Sequence, residues 1–198
     1  MGNFDKSFDE LLNLEFNNPY DILHKNEGES GYTFSGIYES ANANWKGWDI
    51  IKRYIKVRRN LRKASFDAYK DEVLRGLTKE FYKTAFWEKM RLDELKNERI
   101  ADLIFKFAVN TGIKRAVRYA QLAADVRIDG IVGINTLKAL NSIDTAIFEK
   151  RYKNSFKRFY EKLARNNPDK YSKFLKGWQN RVILSENLFI KSDLTNQA

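Results

Sequence analysis

Apolar residues recur at spacings of three and four along most of the chain, while strict alternation is nearly absent, and this pattern predicts a mainly α-helical protein. Phe4, Phe8, Leu11 and Leu12 lie on adjoining parts of one helical surface. That helix should stop near Asn17-Asn18-Pro19, because the residue before a proline is driven out of the helical region, and Glu15 then sits in its last turn. Further apolar stripes predict helices over Trp48–Val57, Phe66–Met90, Arg99–Thr111, Lys114–Ala124, Asn135–Leu140, Asp144–Ala164 and Asp169–Leu188. Turn formers dominate between Pro19 and Ser40. Within that stretch, Gly31 to Tyr38 alone has strand composition and predicts a small hairpin or extended lobe. No internal repeat interrupts the series, and only the last few residues resemble a tail.

Composition narrows the classes available. The 198 residues suit one large or two small domains, and a chain that is 43% hydrophobic and 14% aromatic can build a core. Thirty-six Lys and Arg against 26 Asp and Glu give a net charge of +10, which favours a polyanionic partner: nucleic acid, anionic lipid or anionic cell wall. The absence of cysteine excludes disulfides, thiolate metal sites and a cysteine nucleophile, and a single histidine, His24, excludes a multi-histidine metal site. No metal or cofactor is therefore expected. His24 reads as a hydrogen-bonded loop residue, although Ser/His catalysis through it stays formally open. The polar start, Met1-Gly2-Asn3-Phe4-Asp5-Lys6, shows no secretory signal, and no apolar run approaches the roughly 20 residues of a membrane span. The expectation is a protein made in the bacterial cytoplasm that acts in the periplasm or wall after release by some other agent.

The densest basic run, Lys52-Arg53, Lys56, Arg58-Arg59 and Arg62-Lys63, is interleaved with Trp45, Trp48 and Tyr54. It reads either as a solvated helix face or as a surface for a negatively charged polymer. No helix-turn-helix, zinc or RNA-binding sheet signature accompanies it.

Asp129-Gly130-Ile131-Val132-Gly133-Ile134-Asn135-Thr136-Leu137 is the most informative local motif. Its glycines permit conformations that a Cβ would penalise, Asp129 can bond its own turn, and Asn135 or Thr136 can cap the following helix. D-G-x-x-G-x-x-T-L turns of this kind recur in modules that handle peptidoglycan. With thiol and metal chemistry absent, catalysis must come from carboxylates. Glycosidic cleavage needs an acid that keeps its proton near neutral pH, as a Glu in a partly apolar cleft can. Glu15, between Leu14 and Phe16 at a helix end that opens into the turn-rich lobe, meets that description best.

Several separate segments together resemble the glycoside hydrolase family 108 muramidases, phage-type lysozymes with a carboxy-terminal peptidoglycan-binding region. The resemblance is carried by the helix ending at Glu15, the loop Asn26-Glu27-Gly28-Glu29-Ser30-Gly31, and Thr33-Phe34-Ser35-Gly36-Ile37. It continues through Phe81-Tyr82 with Phe86-Trp87, through Phe105-Lys106-Phe107-Ala108-Val109-Asn110-Thr111-Gly112, and through Arg115-Ala116-Val117 to Gln121. The Asp129 turn and Phe174-Leu175-Lys176-Gly177-Trp178-Gln179-Asn180-Arg181 follow in the family's order. One departure stands out: the family's E-G-G-Y after the first helix is replaced by Glu15-Phe16-Asn17-Asn18 and a longer connection.

The resemblance implies a lysozyme-like, two-lobed α+β fold of about seven to eight helices with a small β-hairpin near 31–38. It also implies a muramidase lobe over 1–92, a peptidoglycan-binding helical region over 93–190 packed against it, and a tail over 191–198. The activity implied is cleavage of the MurNAc-GlcNAc β-1,4 bond, as in phage or prophage endolysins, by a monomeric enzyme acting on peptidoglycan glycan strands in an anionic wall, with no nucleic acid as partner. Glu15 would be the acid, and Thr33 would act with a second carboxylate, for which Glu27 and Glu29 remain alternatives ahead of Asp21. Tyr32, Tyr82, Trp87, Asn110 and Gln121 would contact substrate, and Asp129, Gly130, Gly133 and Thr136 would form the peptidoglycan-binding turn. Two other classes stay open: a non-catalytic wall-binding or secretion-accessory protein, and a basic nucleic-acid-binding protein.

Overall fold

The computed structural model describes residues 2–16 and 18–169, apart from the side chains of Leu14 and Glu15. The helix expected over Asp169–Leu188 and the Phe174–Arg181 segment lie outside the described residues. The protein is mainly helical, with eight α-helices and one small sheet among the described residues. They fall into two compact units: Phe8–Ala85, and a second formed by the residues up to Ser7 with those from Phe86 onward.

The first unit begins within helix α1 (Phe4–Glu15), which buries Phe8 and Leu11. Strands β1 (Leu23–His24), β2 (Thr33–Phe34) and β3 (Ile37–Tyr38) follow in an antiparallel sheet of that order. Leu23 pairs with Phe34, and Thr33 with Tyr38. The expected hairpin over 31–38 is thus present, and it gains a third strand that two residues of sequence could not announce. Ser35 and Gly36 turn the hairpin with φ of 44° and 76°, the two positive values that a tight two-residue turn between twisted strands demands.

Helices α2 (Gly47–Arg58), α3 (Leu61–Lys70) and α4 (Glu72–Tyr82) complete this unit. The Asn60 side chain accepts the Lys63 N–H at 3.0 Å and starts α3, earlier than the apolar stripe implied. The single helix expected over 66–90 is broken at Asp71, which is extended (φ −79°, ψ 110°) and accepts the Leu74 N–H at 2.9 Å. A capping carboxylate ends one helix and starts another there without interrupting the apolar spacing. Beyond α4 the chain widens into a π-helical turn at Lys83–Trp87 and then tightens through two 3₁₀ turns, Glu88–Met90 and Leu92–Glu94.

The second unit is organised around α5 (Glu98–Thr111), every residue of which from Arg99 to Ala108 is buried. Asn97 caps it by accepting the Ile100 N–H at 3.1 Å, and Gly112, at φ 87°, closes it with an N–H bond to the Ala108 carbonyl. Helices α6 (Ile113–Ala123), α7 (Ile134–Ser142) and α8 (Thr145–Asn166) follow, α8 being capped by Asp144. Phe107 of α5 stacks on Phe156 of α8 with ring centres 3.8 Å apart, and Tyr152 meets Phe107 edge-on. Such ring pairs contribute about 0.5–1.5 kcal/mol beyond their burial, so they are a principal tie between these helices. The amino-terminal residues finish this unit: Phe4 lies edge-on to Trp87 and Phe105, and the Gly2 N–H bonds the Leu95 carbonyl at 2.7 Å. A Cβ at Gly2 would come within 2.4 Å of the Leu92 carbonyl oxygen, so only glycine fits.

Candidate active site and wall-binding region

In the first unit the predicted catalytic residues share one continuous segment. Glu27 is exposed in the loop after β1, Glu29 is half-buried and accepts the Asn26 side-chain amide at 3.0 Å, and Thr33 opens β2 at 8% exposure. Glu15 closes α1, and its side chain lies outside the described residues. Tyr32 is half-buried, with the Lys25 ammonium 6.0 Å from its ring centre. His24 places Nδ1 3.0 Å from the Asp21 carbonyl, as a loop-fixing hydrogen bond would.

Glu39, which the sequence reading passed over, anchors this segment. Its carboxylate accepts the Tyr32 N–H at 3.0 Å and faces the Lys52 ammonium at 2.9 Å, while its own N–H bonds the Tyr32 carbonyl at 2.9 Å. Burial alone would push this carboxyl up, but the bonds from Lys52 and the Tyr32 N–H, with the positive charge of Lys52, hold it below its ordinary value. Gly31 makes the approach possible, since a Cβ there would lie 2.9 Å from that of Glu39. The only sequence signal was a glutamate just past a strand, opposite a glycine of the acidic loop.

Tyr82 is buried and donates its hydroxyl to the Ser35 carbonyl at 2.7 Å, so it holds the hairpin turn two residues beyond Thr33. Of the aromatics interleaved with the basic run, Trp48 is buried, Trp45 bonds the Leu77 carbonyl and Tyr54 bonds Asp71, which makes all three packing groups. A pocket of about 240 Å³ in this unit has Asp9, Asn13, Phe16, Ser35 and Arg75 among its described lining residues, and Glu27 and Glu29 do not line it.

In the second unit Trp87 is fully buried and donates its indole N–H to Asp93 at 2.8 Å. Asn110 is exposed near the end of α5 and donates to the Lys106 carbonyl. Gln121, in contrast, is brought together with the whole Asp129 turn. Its amide nitrogen donates to Asp129 at 2.7 Å, to the Ile131 carbonyl at 3.0 Å and to the Thr136 hydroxyl at 3.1 Å, and its carbonyl accepts the Gly130 N–H at 2.8 Å. The Gln121 bond and the Ile131 N–H keep Asp129 below the ordinary carboxyl range. Neither Asn135 nor Thr136 caps α7; Gly133 is its N-cap, without a side-chain bond, because Thr136 is turned inward to the Gln121 network. The polar residues of the motif therefore close on one another, while Ile131 and Ile134 face outward at 69% and 66% exposure.

Among the described residues, no group of three or more His, Cys, Asp or Glu side chains could hold a metal ion. No helix there is long and apolar enough to cross a membrane.

The comparisons with known proteins match two successive segments of the chain. Residues 22–112 match Glycosyl hydrolase 108, and residues 111–183 match a Predicted Peptidoglycan domain. The solved structure titled "Structure of Brucella abortus SagA" has the same fold, with a TM-score of 0.66 and 21% sequence identity over 95% of this chain and 94% of that one. No curated protein matches the chain. The class is therefore a peptidoglycan hydrolase acting as a glycosidase, with peptidoglycan as its partner. The likeness to glycosyl hydrolase 108 is carried by residues 22–112, and that to the peptidoglycan domain by residues 111–183.

Proposed function

We propose that the protein is an N-acetylmuramidase that cleaves the MurNAc-GlcNAc β-1,4 bond, with Glu15 as the acid that protonates the leaving oxygen. A second carboxylate, Glu27 or Glu29, together with Thr33 positions a water or stabilises the oxocarbenium-like transition state. The observation that carries this reading is the order of parts within one unit: α1 ends at Glu15, the acidic loop follows β1, and Thr33 begins the buried strand that the loop enters. Fixing of that loop by Glu39 supports it, because a carboxylate must be held to be effective. Glu29 is the better-held of the two loop carboxylates, through Asn26. Within the first unit, Tyr32 is the half-exposed aromatic available to line a glycan. We assign the units as a muramidase lobe and a wall-binding region, with action in the wall after release from the cytoplasm, as for a phage or prophage lysin working as a monomer.

The test is digestion of purified peptidoglycan by the wild-type protein and by Glu15→Gln, Glu27→Gln and Glu29→Gln, with mass spectrometry of the new sugar ends. Reducing N-acetylmuramic ends that disappear in Glu15→Gln are expected. Fragments that persist there but vanish in one loop variant would transfer the acid role to that carboxylate, and uncut glycan from the wild type would refute the activity.

A further inference from the structure

On the second unit, α6 and α8 flank a groove of about 450 Å³ lined by Arg115, Tyr119, Leu122, Arg158, Phe159 and Lys162 among others. A recess of about 590 Å³ at the start of α6 shares Arg115 and Tyr119 with it and adds Lys114 and Arg118. Among the described residues no carboxylate lines either one. Elsewhere in this unit buried cations are matched: Arg99 and Lys153 face Glu149, and Lys106 faces Asp102 at 2.8 Å. Arg158 and Lys162 are different, being exposed and without an ion pair among the described residues. Arg115 lies 4.4 Å from the ring centre of Phe159 and gives one of its five N–H donors to the Thr111 carbonyl, which fixes the guanidinium beside the ring.

Five cations with no carboxylate among them in the described lining create a positive field that costs folding energy and invites an anionic ligand. Tyr119, Leu122 and Phe159 add apolar surface between the charges, so the fitting ligand carries spaced anionic groups on a partly apolar body. The peptide stems of peptidoglycan have that chemistry, with carboxylates separated by short aliphatic side chains. We propose that the α6–α8 groove is the seat of these acidic stem peptides. The Asp129 turn, whose polar groups are used up internally, serves as the scaffold that stands beside it in this unit. The proposal rests on peptidoglycan as the partner and not on the muramidase chemistry.

The experiment is co-sedimentation of the full chain, in the cold, with peptidoglycan sacculi freed of secondary polymers. Arg158→Glu/Lys162→Glu is compared with wild type and with Lys56→Glu/Arg59→Glu, a pair of equal charge change on the first unit. The groove pair should weaken retention by about ten-fold or more, as loss of charge-assisted contacts does, and the matched pair should change it less than about two-fold. Glycan strands stripped of stem peptides by an amidase should be held by the wild type as weakly as sacculi are by the groove variant. Equal losses in both pairs, full binding of stripped strands, or loss through Ile131→Ser/Ile134→Ser instead would each overturn the proposal. So would loss of duplex DNA retention with sacculus retention intact. If the reversed pair lacks a cooperative thermal transition, Arg158→Gln/Lys162→Gln replaces it under the same criteria. Sacculi bound yet uncut by the wild type would count against the muramidase reading alone.

Discussion

Gln121 and Asp129 are joined by a 2.7 Å hydrogen bond, and the same Gln121 side chain takes the N–H of Gly130 in return. One buried amide thereby supplies the interior of a turn that has no regular secondary structure of its own. Replacing it with leucine removes four side-chain hydrogen bonds from the turn, each with a net worth of about 0.5–1.5 kcal/mol. Gln121→Leu is expected to lower the unfolding midpoint in urea and to weaken sacculus binding together with it. An unchanged midpoint would show that the turn holds itself.

Tyr82→Phe removes only the hydroxyl bonded to Ser35, a buried bond whose loss costs about 1–2 kcal/mol. Gly36→Ala at the same turn should cost more, since Gly36 has φ of 76° and its added methyl would lie 2.8 Å from the Tyr82 hydroxyl. Thermal melts of the two variants should rank in that order. The reverse ranking would mean that the hairpin relaxes at Gly36 without strain.

Glu39→Ala should loosen the acidic loop and reduce peptidoglycan cleavage, while Glu39→Gln, which can still accept the Tyr32 N–H, should recover most of the rate. Equal damage by the two would assign the effect to the ion pair with Lys52. Full activity in both would end the positioning role of Glu39.

Glu149 faces Arg99 and Lys153; burial raises its pKa, but the bonds and charges of those two cations lower it further, and its net position is below the ordinary 4.5. A depressed carboxyl pKa gives stability that is present above the unfolded value and is lost as pH falls through the folded one. Urea unfolding should therefore show stability declining below about pH 4.5, and Glu149→Gln should flatten that decline and cost about 3 kcal/mol at neutral pH. A parallel pH profile in the variant would point to other carboxyls.

Much of this architecture was legible in the sequence because helices α2, α5, α6, α7 and α8 follow their apolar stripes to within a residue or two. Asp71 was not legible as a break, since it sits in register with a polar face and its capping bond to Leu74 leaves no gap in the pattern. Nor was β1, because a two-residue strand exists only through its partners. In the site, Glu27, Glu29 and Thr33 could be placed on one segment from spacing and family likeness. Glu39 could not, as its part depends on Lys52 and Tyr32 arriving from different elements. The Asp129 turn was visible, whereas its dependence on Gln121 required the fold.

Phe4 meets Trp87 and Phe105 in a unit otherwise built from the chain beyond residue 85. During synthesis, the segment around Phe4 must wait for about a hundred further residues before that aromatic cluster can close, a long-range contact of the kind that slows folding. A fragment cut at the boundary between the units would begin without this wedge, and the hollow it leaves beside Trp87 would be a point of aggregation. The second unit is thus sewn shut by a stitch from far earlier in the chain, and domain dissection of this protein has to carry the segment around Phe4 along with the residues from Phe86 onward.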